Sequence, residues 1–228
     1  MHSVRVIENK GTGRSFIILH EAGRYVEFSH QVTDVLALKS KVLRIEINTV
    51  NENNWELLTG EVEKCLDAES VKQTSIVAFG SASTIAQHFT LLNQKKIRSL
   101  ILVDAETRPH PGRVTKIIDW LENKLPLGLP LRSNSNAFDG KPFLQRIRCP
   151  VMIVLSPDAN SYLLSESESL LEKLPISWKS VLKAKNGAEE LALLASEFQD
   201  VRAKCPQKAK AARVRAVNEN STNVLAGT

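Results

Sequence analysis

Short runs of consecutive apolar residues alternate with longer stretches in which apolar positions recur every three or four residues. Phe16-Ile17-Ile18-Leu19 and Leu100-Ile101-Leu102-Val103 are uninterrupted, the pattern of a strand buried on both faces of a parallel sheet. Similar runs place strands at residues 4–7, 15–20, 42–47, 74–79, 99–103, 151–155 and 178–182. The helical spacing falls at residues 28–38, 55–66, 84–92, 114–124, 163–173 and 189–201. Strands alternating with helices in this way predict an α/β fold: a doubly wound, mostly parallel sheet of about seven strands. Residues 125–139 break the alternation with Pro126, Pro130 and Ser133-Asn134-Ser135-Asn136, and read as a loop. Gly11-Thr12-Gly13 precedes a strand, whereas a dinucleotide fingerprint follows one, so it reads as a turn.

Composition narrows the classes. Of 228 residues, 43% are hydrophobic, enough for one sizeable core and too many for a largely disordered chain. The longest pure apolar runs are far shorter than a membrane span requires, and Met1-His2-Ser3-Val4-Arg5 opens without the apolar stretch of a signal peptide. The expectation is a cytoplasmic protein. Cys65, Cys149 and Cys205 are widely spaced and form no CxxC pair, so free thiols are expected, with no metal and no cofactor. The net charge of +5 is concentrated in residues 203–228, where Lys204, Lys208, Lys210, Arg213 and Arg215 face Glu219 alone. The domain boundaries follow: a folded unit over residues 1–202 and a basic, disordered tail over 203–228. The basic run carries no interleaved aromatic residue, which argues against nucleic acid as the partner.

The order of these pieces resembles the α/β-hydrolase family over about residues 4–202. Ser15-Phe-Ile-Ile-Leu-His20 with Glu21-Ala-Gly23 is similar to its third strand and the turn after it. Ser75-Ile-Val-Ala-Phe-Gly80-Ser-Ala-Ser resembles the strand, sharp turn and helix that carry the nucleophile. Ile97–Val103 resembles the sixth strand, Val151–Leu155 the seventh, and Asn186-Gly187 the end of the eighth. The resemblance implies a Ser-acid-His triad and a GxSxG elbow that exposes the serine. Here the elbow reads Ala78-Phe79-Gly80-Ser81-Ala82, with Gly80 at the nucleophile position, or Ala82 if the alignment slides by two. The acid position falls at Asp158 or its neighbour Ala159, and the histidine position reads Gly187-Ala188. The last of the five histidines is His110, ahead of the final strands. A serine without a general base stays protonated and a weak nucleophile.

The leading expectation is therefore a pseudoenzyme: an α/β-hydrolase-fold protein with a binding or scaffold role, toward a small-molecule ligand or a protein partner that the sequence does not name. The first alternative is a weak hydrolase of esters or lactones using Ser81 with His20 as a displaced pair. The second is association with nucleic acid through the basic tail. His20, Glu21, Gly80, Ser81, Asp104 and Asp158 are the expected lining of any ligand crevice, because α/β sheets bind ligands at the carboxyl ends of their strands. For His20 a structural hydrogen bond is the competing expectation, and for Asp104 a surface or turn-capping role.

Overall fold

The computed structural model describes residues 3–48, 54–107, 140–183 and 186–199. Seven strands form one sheet: β1 (Val4–Lys10), β2 (Ser15–Glu21), β3 (Lys41–Ile47), β4 (Thr74–Phe79), β5 (Ile97–Val103), β6 (Val151–Leu155) and β7 (Ser177–Val181). Their spatial order is β1-β3-β2-β4-β5-β6-β7. β1 runs antiparallel to β3, and every other neighbouring pair is parallel. Among the described residues, five α-helices connect them: α1 (Val26–Ala37), α2 (Trp55–Ala68), α3 (Ala82–Leu92), α4 (Ser161–Lys173) and α5 (Gly187–Phe198), with a 3₁₀ turn at Leu144–Arg146.

Each expected strand is present and the mostly parallel sheet is as the pattern required. β1 extends beyond residue 7 because Glu8, Asn9 and Lys10 continue the ladder with Arg44, Leu43 and Val42 past a bulge. A polar edge strand gives no apolar signal at those positions. The helix and loop expected at residues 114–124 and 125–139, and the tail, lie outside the described residues.

The pleat divides the core in two. Ile17, Leu19, Ile76, Ala78, Leu100 and Leu102 pack with α2, α3 and α4 on one face. Phe16, Ile18, Val77, Phe79, Ile101 and Val103 pack with α1 and α5 on the other. Gly11, at the β1–β2 turn, has φ +76°, and a Cβ there would come within 2.1 Å of the Ser40 carbonyl oxygen, so only glycine fits. No described helix is long and apolar enough to cross a membrane.

Truncating Leu102, which is fully buried, to alanine should cost about 2–5 kcal/mol in urea unfolding. Leu38→Ala, on a residue 81% exposed, should change stability by less than about 0.5 kcal/mol. Equal costs would contradict the two-sided packing.

Candidate functional site

The carboxyl ends of β2, β4, β5 and β6 converge on the turn between β4 and α3. At that turn Gly80 has φ +51°, and its N–H donates to the Val103 carbonyl at 2.9 Å. This is the sharp strand-to-helix turn, and Gly80 is its apex. Ala82 already belongs to α3. The space in front of Gly80 is filled by Tyr25: a Cβ at position 80 would stand 3.1 Å from the Tyr25 ring. Tyr25 itself is left-handed at φ 57°, at the start of α1. Its ring stacks on Phe79 with centroids 5.4 Å apart, and its hydroxyl donates to Asp104 Oδ2 at 3.3 Å. Burial, then the Asp104 charge, pushes the Tyr25 phenol well above its usual range, so it remains a neutral donor.

Asp104 follows β5 with φ 47°. Its carboxylate accepts from the Ser156 N–H at 2.9 Å and the Ser156 hydroxyl at 2.8 Å. It therefore caps the turn after β6, as the turn-capping alternative expected. The surface alternative is corrected, because Asp104 is 3% exposed. Asp158, the expected remnant of the acid, lies exposed two residues beyond Ser156 and takes part in none of these bonds. Ala188 sits in the first turn of α5 with the core of the α1 face.

Ser81 and His20, the displaced pair of the first alternative, are not hydrogen-bonded to one another. Ser81, 2% exposed, donates its hydroxyl to Glu21 Oε2 at 2.7 Å. His20 Nδ1 lies 3.2 Å from the backbone oxygen of Glu21, the structural role that competed with catalysis. The reason is strand geometry. Adjacent residues on β2 point to opposite faces. Glu21 follows Leu19 toward α3, whereas His20 follows Ile18 toward α1. Burial lowers the His20 pKa below its ordinary value, leaving the imidazole neutral and enclosed. Arg24 Nη1 completes the Glu21 group at 3.6 Å from Oε2.

A second polar cluster, missed by the sequence reasoning, straps the segment after β5 to its neighbours. The Glu106 carbonyl accepts from Ser83 Oγ at 3.1 Å and Gln87 Nε2 at 3.0 Å, and its N–H donates to Ser83 Oγ at 3.0 Å. Thr107 donates both its N–H and its hydroxyl to Glu166 Oε2, and Lys141 Nζ meets Glu166 Oε1 at 2.7 Å. Burial would raise Glu166, but hydrogen bonds from Lys141 and Thr107 outweigh it and hold the carboxyl below its usual range. Glu106 goes the other way: burial, reinforced by Glu21 and Glu166 against the opposing pull of Arg24, pushes its carboxyl up to about 7. The rule that selected Asp104, a polar residue just past a buried strand, applies equally to Glu106. Nothing in the spacing pointed to Tyr25.

Among the described residues, Glu8, His30 and Asp34 are the group that brings potential metal-ligating atoms together, within 4.8 Å of one another. They do not fit a metal well. Lys10 Nζ already lies 3.0 Å from Glu8 Oε2 and 2.9 Å from Asp34 Oδ1, and Arg44 pairs with Glu8 Oε1. His30 directs different ring nitrogens at the two carboxylates, 2.9 Å from Glu8 and 3.5 Å from Asp34. The set is a charge-balanced network joining β1, β3 and α1. Cys65 and Cys149 are free; burial pushes the Cys149 thiol up to about 12, which makes it a poor nucleophile.

No family model matches this chain, and no curated protein matches it in sequence. Its fold does have solved counterparts. An α/β hydrolase enzyme from the metagenome of sediments of the lagoon of Mar Chica, Morocco, superposes with TM-score 0.64 at 16% identity, covering 84% of this chain and 92% of that one. An esterase from Exiguobacterium antarcticum gives TM-score 0.65 at 11% identity, covering 87% and 96%. An enol-lactonase from Burkholderia xenovorans LB400 gives 0.65 at 12% identity, covering 86% and 95%. The chain has the α/β-hydrolase fold.

Two outcomes check this geometry. Gly80→Ala should destabilise the protein by about 1–2 kcal/mol in chemical denaturation, because an L side chain must occupy φ +51° against the Tyr25 ring. The second concerns pH. The Glu106 carboxyl is held up at about 7 from an ordinary 4.5, so below the lower value both folded and unfolded chains carry the proton. As pH rises toward about 7 the unfolded chain ionises first, and stability of about 3 kcal/mol is lost. Glu106→Gln should remove that loss and be more stable than the parent at pH 8. An unchanged difference from pH 4.5 to 8 would contradict the buried acid.

Proposed function

We propose that this chain is a non-catalytic member of its fold class, acting as a binding or scaffold protein. The observation that carries the reading is the contact between Gly80 and Tyr25. The apex that would present a nucleophile has no side chain, and an aromatic ring hydrogen-bonded to Asp104 occupies the space before it. The sequence adds that no histidine follows His110. A base delivered from beyond the last strand, the arrangement the resemblance implies, therefore has no residue to supply it. A small-molecule ligand or a protein partner remains the expected kind of occupant, and an intracellular setting accords with the free thiols.

The second reading is a weak hydrolase of esters or lactones, an activity class suggested by the esterase and enol-lactonase named above. It has one specific observation behind it: Ser81 lies 2.7 Å from a carboxylate that could take its proton. Two features weigh against it. Ser81 is 2% exposed, and carboxylates as a class are far weaker bases toward a hydroxyl than imidazole.

Turnover of p-nitrophenyl acetate and butyrate by the parent, Ser81→Ala, Glu21→Gln and His20→Ala separates the readings. Under the scaffold reading all four proteins hydrolyse at the same rate within about twofold, and a fluorophosphonate probe labels none of them. Turnover at least tenfold above Ser81→Ala, lost also in Glu21→Gln, would establish the hydrolase. Loss in His20→Ala instead would restore the pair that the strand geometry separates.

A further inference from the structure

The outer side of α5 carries a groove that neither the sheet nor the strand-end crevice explains. Its inner side, Leu191, Ala195 and Phe198 among others, is buried in the core. Outward, Glu189, Glu190, Leu193, Leu194 and Glu197 line a depression of about 440 Å³ that begins at Lys183, after β7. Leu193 is 60% exposed at its centre. Glu190 Oε2 accepts the Lys183 N–H at 2.7 Å and so fixes one end. The result is an apolar floor flanked by three carboxylates against one lysine.

We propose that this groove is the docking site of the chain's own basic segment, residues 204–215. Three observations select that occupant. The first is charge complementarity: Lys204, Lys208, Lys210, Arg213 and Arg215 carry five positive charges with no acidic residue among them, and the groove presents Glu189, Glu190 and Glu197. Next comes composition. Ala209, Ala211, Ala212 and Val214 are interleaved with the basic residues, which supplies small aliphatic groups for the leucine floor. Last is connection. The groove ends at Glu197, two residues before Gln199. From Glu189 to Glu197 the helix advances roughly 12 Å, a distance that residues 204–215 span after a short reversal. Tethering places the segment at millimolar effective concentration beside the groove, so contacts too weak to hold a free peptide suffice. Such docking rests on charge and a few aliphatic contacts, and agrees with a segment that has too little apolar content for a core of its own.

Zero-length carbodiimide coupling of the full chain tests this. The reagent activates a carboxyl group, and only a lysine amine in contact with it forms the amide. At low protein concentration and low salt, mass mapping should find Lys204, Lys208 or Lys210 joined chiefly to Glu189, Glu190 or Glu197 within one chain. Those links should fall several-fold in 0.5 M NaCl, where charge interactions are screened within a few ångströms. They should fall likewise in an Arg213→Glu/Arg215→Glu variant, whose altered positions are not amines and so cannot themselves account for the lost links. Absence of these links overturns the proposal, as does coupling spread evenly to distant acids such as Asp34 and Glu168. Links found only between isotopically distinct chains would overturn it in favour of a second copy as occupant.

Discussion

The central strands must be buried on both faces at once. β2, β4 and β5 each have neighbours on either side in the sheet and helices above and below. Their backbone groups are satisfied along the ladder, and their apolar side chains are divided between the two core layers. Polar function can then appear only where the strands stop. This is why the residues that define the site, Glu21, Gly80 with Ser81, Asp104 and Ser156, all stand at or just past the carboxyl ends of strands.

That constraint also explains what was legible in the sequence. Continuous apolar runs such as Phe16–Leu19 and Leu100–Val103 announced doubly buried strands, and the ordered pieces around them carried the fold. The turn at Gly80 was legible because a glycine lies between a strand run and a helical spacing. The partners within the site were not. Ser81 and His20 looked suited to one another along the chain, but the period-two pleat turns His20 away and offers Glu21 instead. Tyr25 escaped because its position depends on its own left-handed backbone and on the return of α1 over the sheet, neither of which has a signature in spacing. Glu106 escaped because its neighbours Glu21 and Glu166 are remote along the chain and come together only in three dimensions.

The interior is also less uniformly apolar than the strand runs suggest. On the α1 face, Arg44 is buried in β3 and bonds the Val26 carbonyl, Ser29 and Glu8. On the α3 face, Ser83 and Gln87 hold the Glu106 backbone. Both groups join a strand end or edge to a helix through directional bonds, which fix the relative placement of elements that apolar contact alone would leave free to slide.

The contact between Tyr25 and Gly80 has a consequence for how such a chain can change over generations. A side chain gained at position 80 meets the tyrosine ring, while a smaller residue at position 25 leaves a void over Phe79 and deprives Asp104 of a donor. Each substitution is unfavourable by itself; a smaller residue at position 25 relieves the ring contact at position 80 but not its φ +51° strain, so their effects do not add independently. Any path from this turn to one that presents a nucleophile must cross a less stable intermediate. Selection for folding alone therefore holds the pair in place, whether or not selection for function acts on it.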